Sequence, residues 1–175
     1  MSAPFRIMGC IALGMLGAAL ATAALVAPPR DTELGGVYDD EGTVAVPPPG
    51  ETPALVSLHA LLSGQFTPAL ARLIHEDTGQ IRLKHTAGLL EAEVTNRDGE
   101  ATWTFTWKQG EDYAMREGRV LLLFKGARVN DDQYLLILET VSAYKLLQVE
   151  VQRLTPTVLG RRMQPMGTYL FSRAE

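Results

Sequence analysis

Cysteine is nearly missing from this chain of 175 residues; Cys10 is the only one. It falls inside an N-terminal apolar run, so the body of the protein has no thiol for a disulfide, a thiolate nucleophile or a sulfur metal ligand. Histidine is scarce as well, with His59, His75 and His85. Their spacing matches no zinc-ligand pair, and a zinc site needs about four donors. An excess of positive charge is also missing. The chain has 16 Lys and Arg against 20 Asp and Glu, a formal net charge of −4, which argues against a nucleic-acid partner. No phosphate-binding glycine loop, dinucleotide fingerprint or G-x-S-x-G elbow occurs. Ser57, His59 and an acid can be put together as a triad on paper, but without the elbow nothing supports it. No cofactor and no metal are expected.

Charge is missing most completely near the N-terminus. From Ile7 to Ala27 there is no charged residue, and 17 of those 21 positions are apolar. Arg6 precedes the run, and small residues close it, with Ala19-Leu20-Ala21 and Ala21-Thr22-Ala23 fitting a cleavage site. Residues 1–23 therefore read as a signal peptide. They also read as an uncleaved membrane anchor, because the 21 residues of Ile7–Ala27 as a helix reach about 31 Å, the thickness of a hydrocarbon core. Both readings export the body of the protein. Cleavage leaves it in the periplasm, and retention holds it on the periplasmic face of the inner membrane through Ile7–Ala27. Ile7-Met8-Gly9-Cys10 has the look of a lipoprotein box, but the apolar core follows the cysteine, so lipidation at Cys10 is not expected.

The apolar run explains the high mean hydropathy of +0.03. Positions 1–27 hold 20 of the 81 apolar residues, and the other 61 are spread over 148 positions, the ordinary proportion for a globular domain. Residues 24–50 read as a proline-rich linker, opened by Pro28-Pro29 and closed by Pro47-Pro48-Pro49-Gly50, with a candidate first strand at Leu34–Tyr38 and a turn at Asp39–Gly42. Residues 51–175 read as one β domain. Leu55–Leu62 fits either a strand or a helical stripe. Thr67-Pro68 looks like a cap and first helical position, predicting a short helix over 68–77.

From Gln80 the pattern has period two. The clearest strand alternates Trp103, Phe105 and Trp107 with Thr102, Thr104 and Thr106. Asn96-Arg97-Asp98-Gly99 is a hairpin signal. Strand centres fall near 83, 93, 104, 114, 122, 137, 148 and 169, a spacing that predicts an antiparallel meander. A meander of this length removes its edges by closing, so an eight- to ten-stranded barrel or a strongly curved sheet is expected. Val120–Phe124 is apolar on both faces and should be covered on both sides or sit at a closed corner.

Three groups can carry chemistry. Trp103, Phe105 and Trp107 share one strand face and make either core or the wall of an apolar pocket, with His85 as a further inward-facing residue. Glu91 and Glu93 are spaced for paired acid–base work, as in a hydrolase, or for a solvated outer face. Asp39-Asp40-Glu41 and Asp131-Asp132 offer calcium ligands but carry the residues that turns need.

Gly36-Val-Tyr38 ahead of a meander resembles the Gly-x-Trp opening of lipocalin-like barrels, with Tyr for Trp, the helix early and no disulfide. The layout of Leu34-Gly-Gly-Val-Tyr-Asp-Asp-Glu-Gly42, Ser57-Leu-His-Ala-Leu-Leu62, Gly110-Glu-Asp-Tyr113 and Glu117-Gly118 resembles small exported proteobacterial proteins of uncharacterised function, over about 34–171. The resemblance implies no catalytic residues. The expected function is that of a non-enzymatic cell-envelope protein, a lipocalin-like β-barrel holding an apolar or amphipathic small molecule against Trp103, Phe105, Trp107 and His85. The alternatives are a membrane-tethered scaffold or interaction module with an envelope protein as partner, and a hydrolase using Glu91 and Glu93.

Overall fold

Alternation of aliphatic and polar residues builds most of this protein. A computed structural model describes residues 34–50, 55–64, 66, 78–128, 130–141 and 145–174. The apolar run Ile7–Ala27, Cys10, His75 and the helix expected over 68–77 lie outside them. Among the described residues no helix is long and apolar enough to cross a membrane.

Among the described residues eleven strands and one short helix follow in order. They are β1 (Gly36–Asp39), β2 (Glu41–Val46), β3 (Leu55–Ser57), α1 (Leu58–Leu62), β4 (Thr78–Thr86), β5 (Leu89–Asn96), β6 (Ala101–Lys108), β7 (Tyr113–Arg116), β8 (Arg119–Phe124), β9 (Gln133–Val141), β10 (Leu146–Thr157) and β11 (Gly160–Ser172). The eight strand centres expected between 83 and 169 fall in β4 to β11. The stretch at 55–62, open between strand and helix, is both: β3 runs directly into α1.

The strands form two antiparallel sheets, ordered β1-β4-β5-β6 and β3-β2-β11-β10-β9-β8-β7. β1 and β2 are one path bent at Asp40, so residues placed in the linker by their prolines belong to both sheets. A Tyr38–Arg173 bridge joins the sheets on this side. The turn expected at Asp39–Gly42 is a bend within an extended path, and Gly42 is there for proximity. A Cβ at this position would collide with the Phe171 ring and come within 2.9 Å of the Leu170 carbonyl.

No closed barrel is found among the described strands. Among the described strands β6 pairs only with β5 and β7 only with β8. The chain between them turns too tightly to form a ladder. The Asp112 amide donates to the Lys108 carbonyl at 2.9 Å, and the Gly110 amide donates to the Tyr113 carbonyl at 2.8 Å. Gly110 takes a positive φ of 86° in this corner. The β7 strand is thereby carried into the second sheet instead of lying beside β6.

One core lies between the sheets. Ile81, Leu83, Leu90, Ala92 and Val94 from the first sheet meet Val120, Leu122, Leu136, Leu138, Leu147, Val149 and Phe171 from the second, and Leu58, Leu61 and Leu62 of α1 complete it. Each such aliphatic side chain contributes roughly 1.5–3 kcal/mol when fully removed from water. In the doubly apolar β8, Val120 and Leu122 enter this core, while Leu121 and Leu123 are only half-buried on the other face.

Two prolines lie inside strands. Pro156 pairs with Arg161 and Pro165 with Gln152. β9 reaches β10 only as far as Leu154, so Pro156 sits in a two-stranded ribbon where a missing ladder donor is tolerated.

Candidate functional site

Cross-strand register decides where the aromatic row points. Trp103 pairs with Val94, Phe105 with Ala92 and Trp107 with Leu90. Directly paired residues share a face, and all three partners are core residues. The aromatic row is therefore on the core side, and Thr102, Thr104 and Thr106 face solvent. Along the row burial falls steadily. Trp107 is 9% exposed, Phe105 is half-buried and Trp103 is 61% exposed. The row thus runs from the core to the rim of the sheet. Phe105 and Trp107 stack with ring centres 5.8 Å apart and planes at 17°.

A residue outside the expected site completes the rim. The His59 ring lies 5.8 Å from Phe105 and 6.2 Å from Trp103. These separations are those of attractive aromatic pairs. His59 is held there by its helix. Ser57 caps α1, accepting from the Ala60 amide at 3.1 Å. Its hydroxyl donates to the Asp40 carboxylate at 2.9 Å, and the His59 amide donates to the same carboxylate at 2.6 Å. Asp40 is 2% exposed. Nothing in the local sequence marks His59 as a neighbour of Trp103, because the contact depends on the bend at Asp40.

Asp40, Ser57 and His59 are thus together in space, but as a helix cap. The serine proton goes directly to the carboxylate, and the histidine contributes its main-chain amide. In a catalytic triad the imidazole stands between the other two.

His85 lies away from the rim. It pairs with Leu90, which pairs with Trp107 at the inner end of the row. Its Nε2 is 2.9 Å from the Tyr113 hydroxyl, linking β4 of one sheet to β7 of the other. Burial pushes the Tyr113 phenol above its ordinary value of 10.0. Of the expected residues, Trp103 and Phe105 meet His59 at the rim, Trp107 stacks behind Phe105, and His85 instead meets Tyr113.

The paired carboxylates are on the opposite face of the same sheet. Glu93 bonds Lys84 at 3.2 Å and lies 3.8 Å from Arg82. Glu91 pairs across from Lys84 in the ladder. Asp131 accepts the Arg128 amide at 2.7 Å, the chemistry of a turn. Asp132 is bound by the Arg153 guanidinium, whose hydrogen bond holds its carboxyl below the ordinary 3.8. Among the described residues no group of three His, Cys, Asp or Glu is placed to hold a metal ion.

Two grooves lie elsewhere. One, of about 380 Å³, opens between Tyr38, Thr140, Lys145 and Arg173. The other, of about 650 Å³, lies over Glu41, Gln80, Asn96 and Arg97. The aromatic row lines neither.

An indole on the core side of a sheet, three-fifths exposed and backed by two further aromatic rings, is a surface suited to an apolar or amphipathic group. No protein-family model matches the chain, and neither a curated protein nor a solved structure shows significant similarity to it.

Proposed function

We propose that this is an exported, non-enzymatic binding protein of the bacterial envelope, and that its ligand is an apolar or amphipathic small molecule seated at the rim formed by Trp103, Phe105 and His59. The observation carrying this reading is the exposure of Trp103 at the end of a core-facing aromatic row. The seat is shallow and lies at an edge, unlike the deep lumen of a lipocalin. A ligand there covers the exposed part of the indole, and aromatic contact adds about 0.5–1.5 kcal/mol beyond the area buried. Export rests on the N-terminal run Ile7–Ala27.

Tryptophan fluorescence tests the reading. With laurate as probe, emission shifts to the blue and changes in intensity with saturation. The response is lost in Trp103→Ala and kept in Trp107→Phe. A saturable response that survives Trp103→Ala, or none with the native protein, contradicts it.

A further inference from the structure

β10 and β11 form a hairpin that outgrows its sheet. β9 accompanies β10 only to Leu154, and β2 accompanies β11 only from Thr168. Beyond those points the two strands continue alone to a turn at Val158 and Leu159. Turns favour Gly, Asn and Asp, yet this one presents two aliphatic side chains at 102% and 99% exposure, with Met163 at 57% just behind. No acidic residue occurs from Val151 to Phe171, while Arg153, Arg161 and Arg162 do. Around the hairpin, Arg153 binds Asp132, and Arg161 donates to the main-chain carbonyls of Asp131 and Leu154. Counting Arg128 with these three arginines against Asp131 and Asp132 leaves two positive charges at this end of a chain whose net charge is −4.

We propose that the hairpin tip is a membrane-docking element, with Val158 and Leu159 entering the interfacial layer of an anionic bilayer and Arg162 meeting the phosphates. Apolar side chains at the extreme of a protrusion with cations directly behind match the depth order of such a surface, with acyl chains inside and anionic headgroups outside. A protein partner would more often demand a broader patch with an apolar centre. The tip is also far from where the chain enters the fold. Leu146 pairs with Ser172 beside the Tyr38–Arg173 bridge, and the twelve residues of β10 separate that end from Thr157 by roughly 40 Å at the usual strand rise. The tip therefore lies at the opposite end of the β10–β11 hairpin from the Tyr38–Arg173 bridge.

The test uses full-length Leu159→Trp protein with vesicles of phosphatidylglycerol or of phosphatidylcholine, some carrying brominated acyl chains. The emission added by the new indole shifts to the blue and is quenched by bromine on phosphatidylglycerol vesicles. In that protein Arg162→Gln weakens the response about fivefold, the effect of one cation at an anionic surface, and high salt weakens it further. Val158→Asp in the same protein abolishes it. Vesicle-bound protein whose added indole stays water-like and unquenched is held by its N-terminal run and overturns the proposal. An indole that blue-shifts only with another protein, and not with vesicles, also overturns it.

Discussion

The Ser57 hydroxyl donates to the buried Asp40 carboxylate at 2.9 Å across seventeen positions of sequence. That bond ties the bend between β1 and β2 to the start of α1, and α1 presents His59 to Trp103 and Phe105. The rim is assembled through it.

Ser57→Ala removes the helix cap and one donor to the carboxylate together. Loss of a cap costs about 1 kcal/mol, and loss of a hydrogen bond to a charged group about 1.5–3 kcal/mol. We expect a combined destabilisation of about 2–4 kcal/mol in urea unfolding, with a weaker ligand response at the rim. A change under 0.5 kcal/mol, the scale of an ordinary surface substitution, contradicts the capping role.

Two tyrosines set the alkaline limit. Burial raises the Tyr38 phenol above 10.0, partly offset by the nearby Arg173 guanidinium, and burial raises Tyr113. A phenol whose folded value is raised contributes stability fully present below pH 10.0, the unfolded value, and lost as pH rises through the folded value. Stability should therefore fall above about pH 10. Absorbance titration of Tyr38→Phe and Tyr113→Phe should each show the loss of a component that ionises above 10.0 in the native protein. Loss of a component at or below 10.0 in either variant contradicts this.

The acid limb is shallower. The Arg153 hydrogen bond lowers the Asp132 carboxyl below 3.8. This contribution is present above pH 3.8 and lost as pH falls through the lowered value. The pair is partly exposed, at 39% and 25% of its side-chain surfaces. Solvent screening limits it to about 1 kcal/mol or less. Asp132→Asn should cost no more than that at pH 7 and should remove the corresponding loss in acid, measured by urea unfolding at both pH values.

Gly42→Ala tests the closest strand approach. Its Cβ would meet the Phe171 ring and the Leu170 carbonyl, and Phe171 is fully buried. Overpacking of this kind costs about 1–3 kcal/mol. Thermal unfolding at a lowered temperature is expected, and an unchanged midpoint contradicts the packing described.

The strands were legible because Trp103, Phe105 and Trp107 alternate with threonines, and comparable period-two patterns recur through β4, β5 and β10. The hairpin at Asn96–Gly99 was equally plain, since Gly99 takes the positive φ that its turn needs. The bend at Asp40 was hidden. Its neighbours Asp39, Glu41 and Gly42 have the chemistry of a turn, and the group that holds it extended is Ser57, far along the chain. The division into two sheets was hidden too, since it depends on whether the Gln109–Asp112 corner lets β7 lie beside β6. The direction of the aromatic row was readable. Its gradient of burial and the approach of His59 were not, because both depend on contacts across the fold.

The central claim is that ligand meets Trp103 and leaves Trp107 in the core. The protein has two tryptophans, so its proton–nitrogen correlation spectrum contains two indole signals, assigned by Trp103→Phe. On titration with laurate the Trp103 signal is expected to move progressively and saturate while the Trp107 signal stays nearly fixed. Movement of the Trp107 signal alone, or of neither, contradicts a ligand seat at the rim.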